Sequence, residues 1–147
     1  MIEIRDMHAD DISEVIRIEK NSFDEPWTEM LFYLDLYTKV SNNWVLTLEE
    51  KIRAFVCFYL IADEIHLNNI AVDPDFRCQG LAQKLLNKMF EFAKEHEVAF
   101  ITLEVNEHND KAKNFYKKNG FKQVGLRPKY YEHDQADALI MTMEIKS

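Results

Sequence analysis

Ile70-Ala71-Val72-Asp73-Pro74-Asp75-Phe76-Arg77-Cys78-Gln79-Gly80-Leu81-Ala82 runs from an apolar strand end through a tight loop into the start of a helix. Pro74 cannot continue the strand, and from Gly80 to His96 the residues Leu81, Leu85, Leu86, Met89 and Phe92 share one helical face. The first N–H groups of such a helix lack intrahelical partners and carry roughly half a positive charge, which suits an anion such as a pyrophosphate. Gly80 and the small Ala82 let phosphates approach the backbone, and Arg77 offers a charge-assisted bond. Asp73 and Asp75 offset Arg77 and Lys84, so anion binding here rests on backbone amides more than on net charge. Taken alone, the same residues also suit an ordinary strand-to-helix turn.

Glu64 to Val72 before the loop and Val98 to Val105 after the helix read as strands, so the three segments form one βαβ unit with parallel strands and a right-handed crossover. Towards the N-terminus, residues 1 to 5 alternate as a strand, and Asp10 or Asp11 caps a helix carrying Ile12, Val15, Ile16 and Ile18. Thr28 caps a second helical stretch holding Met30, Leu31, Leu34 and Tyr37, ending near Ser41-Asn42-Asn43. Trp44 to Leu48 and Ile52 to Ile61 are two strands of a meander. Towards the C-terminus, Asn109 or Asp110 caps a helix with Ala112, Phe115 and Tyr116 that stops at Gly120, followed by strands near Phe121 to Gly125 and Ala136 to Ile145. No repeat or linker interrupts this order, which predicts a single α+β domain over residues 1–147 with a mixed sheet.

The chain has 147 residues, 47% hydrophobic and 30% charged, which is enough for one domain with a core of useful size. Three glycines and three prolines exclude collagen-like, linker and Pro-rich disordered classes. The longest apolar run, Ala54 to Ala62, has nine residues where a membrane helix needs about 20, so no membrane association is expected. Neither an export signal nor a transit peptide is visible at Met1-Ile2-Glu3-Ile4-Arg5-Asp6. Cys57 and Cys78 lie far apart as two free thiols, so a reducing, cytoplasmic location is expected. Lys and Arg total 18 against 26 Asp and Glu; the formal charge of −8 repels a phosphate backbone, so no nucleic-acid partner is expected, whereas a basic peptide or an amine suits the surface. The five histidines show no H-x-x-x-H or HExxH spacing and no nearby cysteine, so no metal is expected and a Cys-His hydrolase has no support.

Two other phosphate loops fail on spacing. A dinucleotide fingerprint needs three close glycines, and the nearest pair, Gly120 and Gly125, is five apart. That pair is followed by Leu126-Arg127 where a P-loop requires Lys and then Ser or Thr.

Arg77-x-x-Gly80-x-Ala82, by contrast, resembles the Q/R-x-x-G-x-G/A acetyl-CoA loop of the GNAT superfamily of N-acetyltransferases. Leu67-Asn68-Asn69-Ile70-Ala71-Val72-Asp73-Pro74, Leu103-Glu104-Val105, Asn109 to Phe121, Tyr130-Tyr131, Asp137-Ala138-Leu139-Ile140-Met141 and Pro26-Trp27 extend the resemblance over nearly the whole chain. Together they look like the ribosomal-protein alanine N-acetyltransferase (RimI-like) branch. The resemblance implies a mostly antiparallel central sheet of about seven strands, helices on both faces and the parallel βαβ unit at the cofactor cleft. It also implies acetyl-CoA as co-substrate. Ile70, Ala71 and Val72 would hold the pantetheine arm through their backbone, and Cys78, Gln79, Gly80, Leu81, Ala82 and Gln83 would wrap the pyrophosphate beside Arg77. The family loop carries a second basic residue where Cys78 stands. Asn109 is similar to the residue whose side chain meets the cofactor, and it equally suits a helix N-cap.

The implied reaction is aminolysis of a thioester by direct attack of an amine. Glu104 resembles the general base that takes the amine proton, and Tyr116 resembles the general acid that protonates the departing sulfur. Read without the family, Glu104 is a solvated strand residue and Tyr116 a half-buried helix aromatic. An α-amine has a pKa of about 8 and lysine about 10.4, so near pH 7.4 roughly a fifth of the first but only about 0.1% of the second is neutral. A single carboxylate is therefore base enough for a protein or peptide N-terminus, and the branch implies the N-terminal alanine of a ribosomal protein. Trp27, Tyr130 and Tyr131 are candidate walls of the substrate cleft, and Glu132, Asp134 and Asp137 candidate contacts for basic residues further along the peptide; core packing and solvated loop charge are the alternatives. A lysine or small-molecule amine as acceptor, and a CoA-binding module without turnover, stand as competing functions. The expected state is a monomer or weak dimer.

Overall fold

The computed structural model describes residues 1–146. Seven strands form one sheet in the order β1-β2-β3-β4-β5-β7-β6. The strands are β1 Ile2–Asp6, β2 Ser41–Leu48, β3 Lys51–Ile61, β4 Glu64–Val72, β5 Phe100–Asn106, β6 Lys122–Arg127 and β7 Ala138–Glu144. Every neighbouring pair is antiparallel except β4 and β5, the pair joined through the long helix α3, Leu81–Glu95. This is the mixed α+β sheet that the sequence predicts, with the parallel pair at its centre.

Period-two alternation divides the sheet between two cores. On one face α3 buries Leu81, Leu85, Leu86, Met89 and Ala93, and α4 (Asp110–Lys118) adds Tyr116, against Leu46, Val56, Ile65, Ile101 and Leu103. On the other, α1 (Ile12–Lys20) and α2 (Glu29–Leu36) bury Ile12, Val15, Ile18 and Phe32 against Val45, Phe55, Cys57 and Ala71. Each fully buried leucine or isoleucine contributes about 2 kcal/mol by leaving water, so both faces have strong reason to stay covered.

Several local expectations are corrected. Asp11 does not cap α1 through its side chain; its carboxylate takes both prongs of Arg5, at 2.8 and 3.0 Å, and the His8 N–H, closing the turn before the helix. Thr28 does cap α2, accepting from the Leu31 N–H, but the apolar residues that mark this helix are not its inner side. Met30, Leu31, Leu34 and Tyr37 are exposed, and Phe32 and Asp35 point inward. The helix also ends earlier, at Leu36, because Ser41, Asn42 and Asn43 pair with Tyr59, Phe58 and Cys57 at the start of β2.

Candidate active site

The parallel pairing of β4 and β5 covers only Glu64–Leu67 against Phe100–Leu103. Beyond it the strands separate: Asn68–Val72 follow β3, and Glu104–Asn106 follow β7. A bulge marks the parting point, since Cys57 faces Asn69 and Phe58 faces Leu67, leaving Asn68 without a partner across β3. The extra residue resets the alternation, so Leu67, Ile70 and Val72 face the α3 core and Ala71 the α1 core. Part of the Asn68–Val72 backbone is thereby turned to an open gap instead of a neighbouring strand.

The gap opens into a cavity of about 500 Å³ lined by Asn69, Ile70, Glu104, Asn109, Tyr116 and Tyr131 among others. A second cavity, of about 440 Å³, adjoins it and is lined by Trp27, His66, Glu104, Arg127, Tyr130 and Tyr131. Glu104 and Tyr131 line both. Leu103 and Val105 point into the α3 core, so Glu104 points to the opposite face, whereas Tyr116 enters the same cavity from α4.

The Tyr116 ring packs 5.5 Å from both Phe115 and Phe121, and burial pushes its phenol well above the usual value, so it stays protonated at neutral pH. Tyr131 is pushed up to about 12 by burial and by the Glu104 carboxylate, and its ring meets Tyr130 edge-on at 5.2 Å. The Glu104 side chain is 31% exposed, and its Oε1 lies 3.0 Å from Arg127 Nε.

Trp27 is half-buried with its ring 5.2 Å from that of Phe32, and its backbone N–H donates to Glu19 at 2.8 Å. Glu19 is a buried carboxylate that also accepts from Asn69 Nδ2 at 2.7 Å, tying the loop after α1 to the parting strand. Burial pushes the Glu19 carboxyl up, against those two hydrogen bonds. From the other side of the cleft the His133 N–H donates to Glu25 at 3.3 Å. Neither Glu19, Asn69 nor Arg127 was marked by the sequence as a site residue; an acid at position 19, four residues beyond Val15 on the buried face of α1, was the available signal for the first.

At the other end of β4, Asp73 accepts from Arg17, Arg53 and the Asp75 N–H at 2.8, 3.2 and 3.1 Å, fixing the strand end. The loop then reaches α3 through two left-handed residues, Cys78 (φ 63°) and Gly80 (φ 79°). Gly80 serves as N-cap without a side chain, a Cβ there would meet nothing within 4 Å, and the first N–H groups of α3 have no intrahelical partner. Unpaired amides at a helix start with no capping side chain suit an anion. Arg77 points elsewhere: its guanidinium donates to the Val72 carbonyl and the Ser22 hydroxyl. The Gln83 side chain pairs with Asn119 at 2.7 and 3.0 Å, joining α3 to the end of α4. Asn109 caps α4 by accepting from the Ala112 N–H, and it also lines the larger cavity. Asp134 and Asp137 accept backbone N–H groups of Ala136 and Lys129, holding their own loop in shape, while Glu132 is exposed beside them. Cys78 is an exposed free thiol and Cys57 a buried one.

The model of the acetyltransferase (GNAT) family matches residues 12–121. A relative from Bacillus subtilis (strain 168) is 34% identical over 97% of this chain and 95% of its own length. The [ribosomal protein bS18]-alanine N-acetyltransferase of Escherichia coli (strain K12) is 33% identical over 99% of both chains. The crystal structure of the ribosomal-protein-S18-alanine N-acetyltransferase from Escherichia coli superposes with a TM-score of 0.93 at 32% identity, covering 100% of this chain and 96% of that one. With the parted strands, the open amide cradle and these full-length similarities, the chain belongs to the GNAT acetyltransferase family.

Proposed function

We propose that this protein transfers the acetyl group of acetyl-CoA to the α-amine of a protein N-terminus, with the N-terminal alanine of a bS18-type ribosomal protein as its substrate. The observation that carries the reading is the likeness, along 99% of both chains, to an enzyme named for that reaction. The cleft geometry supports it. The acetyl-pantetheine arm continues the sheet along Ile70, Ala71 and Val72, and the diphosphate lies on the amides of Cys78 to Gln83 at the start of α3. The amine arrives from the smaller cavity, between Trp27 and the Tyr130-Tyr131 pair.

The amine nitrogen attacks the thioester carbonyl carbon, the C–S bond breaks, and the amide forms directly. Glu104, at the wall between the cavities, takes the proton that the amine must lose, directly or through one water. Tyr116, kept protonated by burial, gives its proton to the departing sulfur. An α-amine with a pKa of about 8 asks little of this base, whereas lysine costs about 3 kcal/mol more to deprotonate. Glu132, Asp134 and Asp137 give the cleft a negative rim suited to basic residues that follow the first one.

The test is acetyl transfer from labelled acetyl-CoA to two peptides: one with a free N-terminal alanine, and its N-blocked form carrying one lysine. Transfer to the first alone is expected. Transfer to the second would make the enzyme a lysine acetyltransferase, and silence from both with measurable CoA binding would favour a small amine or a module without turnover.

A further inference from the structure

Arg127 is the last residue of β6, and its guanidinium sits against Glu104, the group placed above as the receiver of the amine proton. The register explains how it gets there. Glu104 and Gly125 both face Ile140 of β7, so the three stand in one row across the sheet. Arg127, two residues past Gly125, points to the same face and reaches back over β7 to bring Nε within 3.0 Å of Glu104 Oε1. Its guanidinium carbon also lies 5.9 Å from the Tyr130 ring centre. Arg127 lines the smaller cavity, from which the amine arrives, and is absent from the lining of the larger one.

Near neutral pH about four-fifths of an α-amine is ammonium, so the substrate brings a cation to a carboxylate that already has one. The existing pair is built to be broken. Arg127 is 58% exposed and Glu104 31%, and ion pairs of that exposure hold weakly. Asp73 is the contrast within the same molecule, a carboxylate 2% exposed and held by two arginines. We infer that Arg127 is an exchangeable counter-ion and positioning residue for Glu104: before substrate binds, its guanidinium holds the carboxylate at the wall between the two cavities, and the substrate's ammonium then takes its place. This rests on the N-terminal acetylation reading and extends it, making Arg127 a residue that sets how strongly a charged amine is preferred.

The experiment measures peptide affinity calorimetrically on the CoA complex, for a peptide with a free N-terminal alanine and for its N-acetylated counterpart, which has the same sequence but no charge at its N-terminus. Wild type, Arg127→Ala and Arg127→Lys are compared. Removing the competing cation should tighten the free-amine peptide about fivefold and leave the acetylated one within about twofold, so the ratio of the two affinities changes. Arg127→Lys should return the ratio to within about twofold of wild type. An unchanged ratio in Arg127→Ala, or equal weakening of both peptides as a merely structural role would give, overturns the inference while leaving the N-terminal reading intact. If the wild-type protein binds neither peptide, the N-terminal reading itself fails and the inference falls with it.

Discussion

Glu104 and Tyr116 line one cavity from opposite sides of the sheet: the first projects from β5 away from the α3 core, and the second is buried on α4 within that core. They can share a cavity only because β4 and β5 stop pairing at Leu67 and Leu103 and leave a passage between them. A reaction that removes a proton from one reactant and delivers one to the other is thereby given a separate group on each side. We propose the base role for the exposed carboxylate and the acid role for the buried phenol, since burial favours the neutral form.

Tyr116→Phe removes one oxygen and keeps the ring that packs against Phe115 and Phe121. Turnover should fall about a hundredfold with acetyl-CoA affinity unchanged within about twofold. Calorimetry of CoA binding beside steady-state kinetics separates the two, and unchanged turnover would remove Tyr116 from the chemistry.

Glu104→Gln keeps the shape and removes the base. The rate at pH 7 should fall about a hundredfold and climb more steeply with rising pH, because the neutral amine must then come from solution, where its pKa is about 8. A pH–rate profile parallel to wild type would contradict this role.

Gly80→Ala tests the amide cradle. At φ 79° an alanine costs about 1 kcal/mol of backbone strain, and the open space around its Cβ adds no clash. Stability should therefore drop only by about that amount, while acetyl-CoA binding should weaken about tenfold, because the methyl group would stand where the proposed diphosphate lies. Equal CoA affinity in both proteins would move the diphosphate elsewhere.

Asp73→Asn probes the fixed end of β4. Burial pushes the Asp73 carboxyl up, but Arg17, Arg53 and the Asp75 N–H outweigh it and hold it below the usual range. A group lowered in the folded state stabilises above its unfolded value of about 4, and that stability is lost as pH falls through the lower folded value. The substitution should cost about 2 kcal/mol at pH 7, and the gap from wild type should narrow at pH 3, as urea unfolding at both pH values would show. A gap that widens in acid would contradict the assigned sign.

The β4–α3–β5 unit was legible because its signals are local and agree: an apolar strand, a proline that ends it, a glycine that turns left-handed and a helix with a single apolar stripe. Helix α2 was less so. Its sequence, Glu29-Met30-Leu31-Phe32-Tyr33-Leu34-Asp35-Leu36, is apolar nearly all round, so periodicity cannot select the inner face, and the packing of Phe32 on Phe55 decides it. Asn42 and Asn43 read as a helix end because neither favours strands, yet pairing with Phe58 and Cys57 overrides that preference. Asp11 and Arg77 were legible as a cap and an anion ligand, and tertiary partners claim both, Arg5 in one case and Ser22 in the other. Arg127 and Glu19 matter through contacts across strands and loops that no spacing along the chain encodes.

A bisubstrate compound joining the CoA sulfur through an acetyl bridge to the α-amine of an alanine-starting peptide tests directly whether amine and thioester meet through the gap between β4 and β5. Measured calorimetrically, it should bind at least about a hundredfold tighter than CoA or the peptide alone, and tighter than the same compound joined through a lysine side chain. Binding no tighter than CoA, or preference for the lysine-joined compound, would contradict the account.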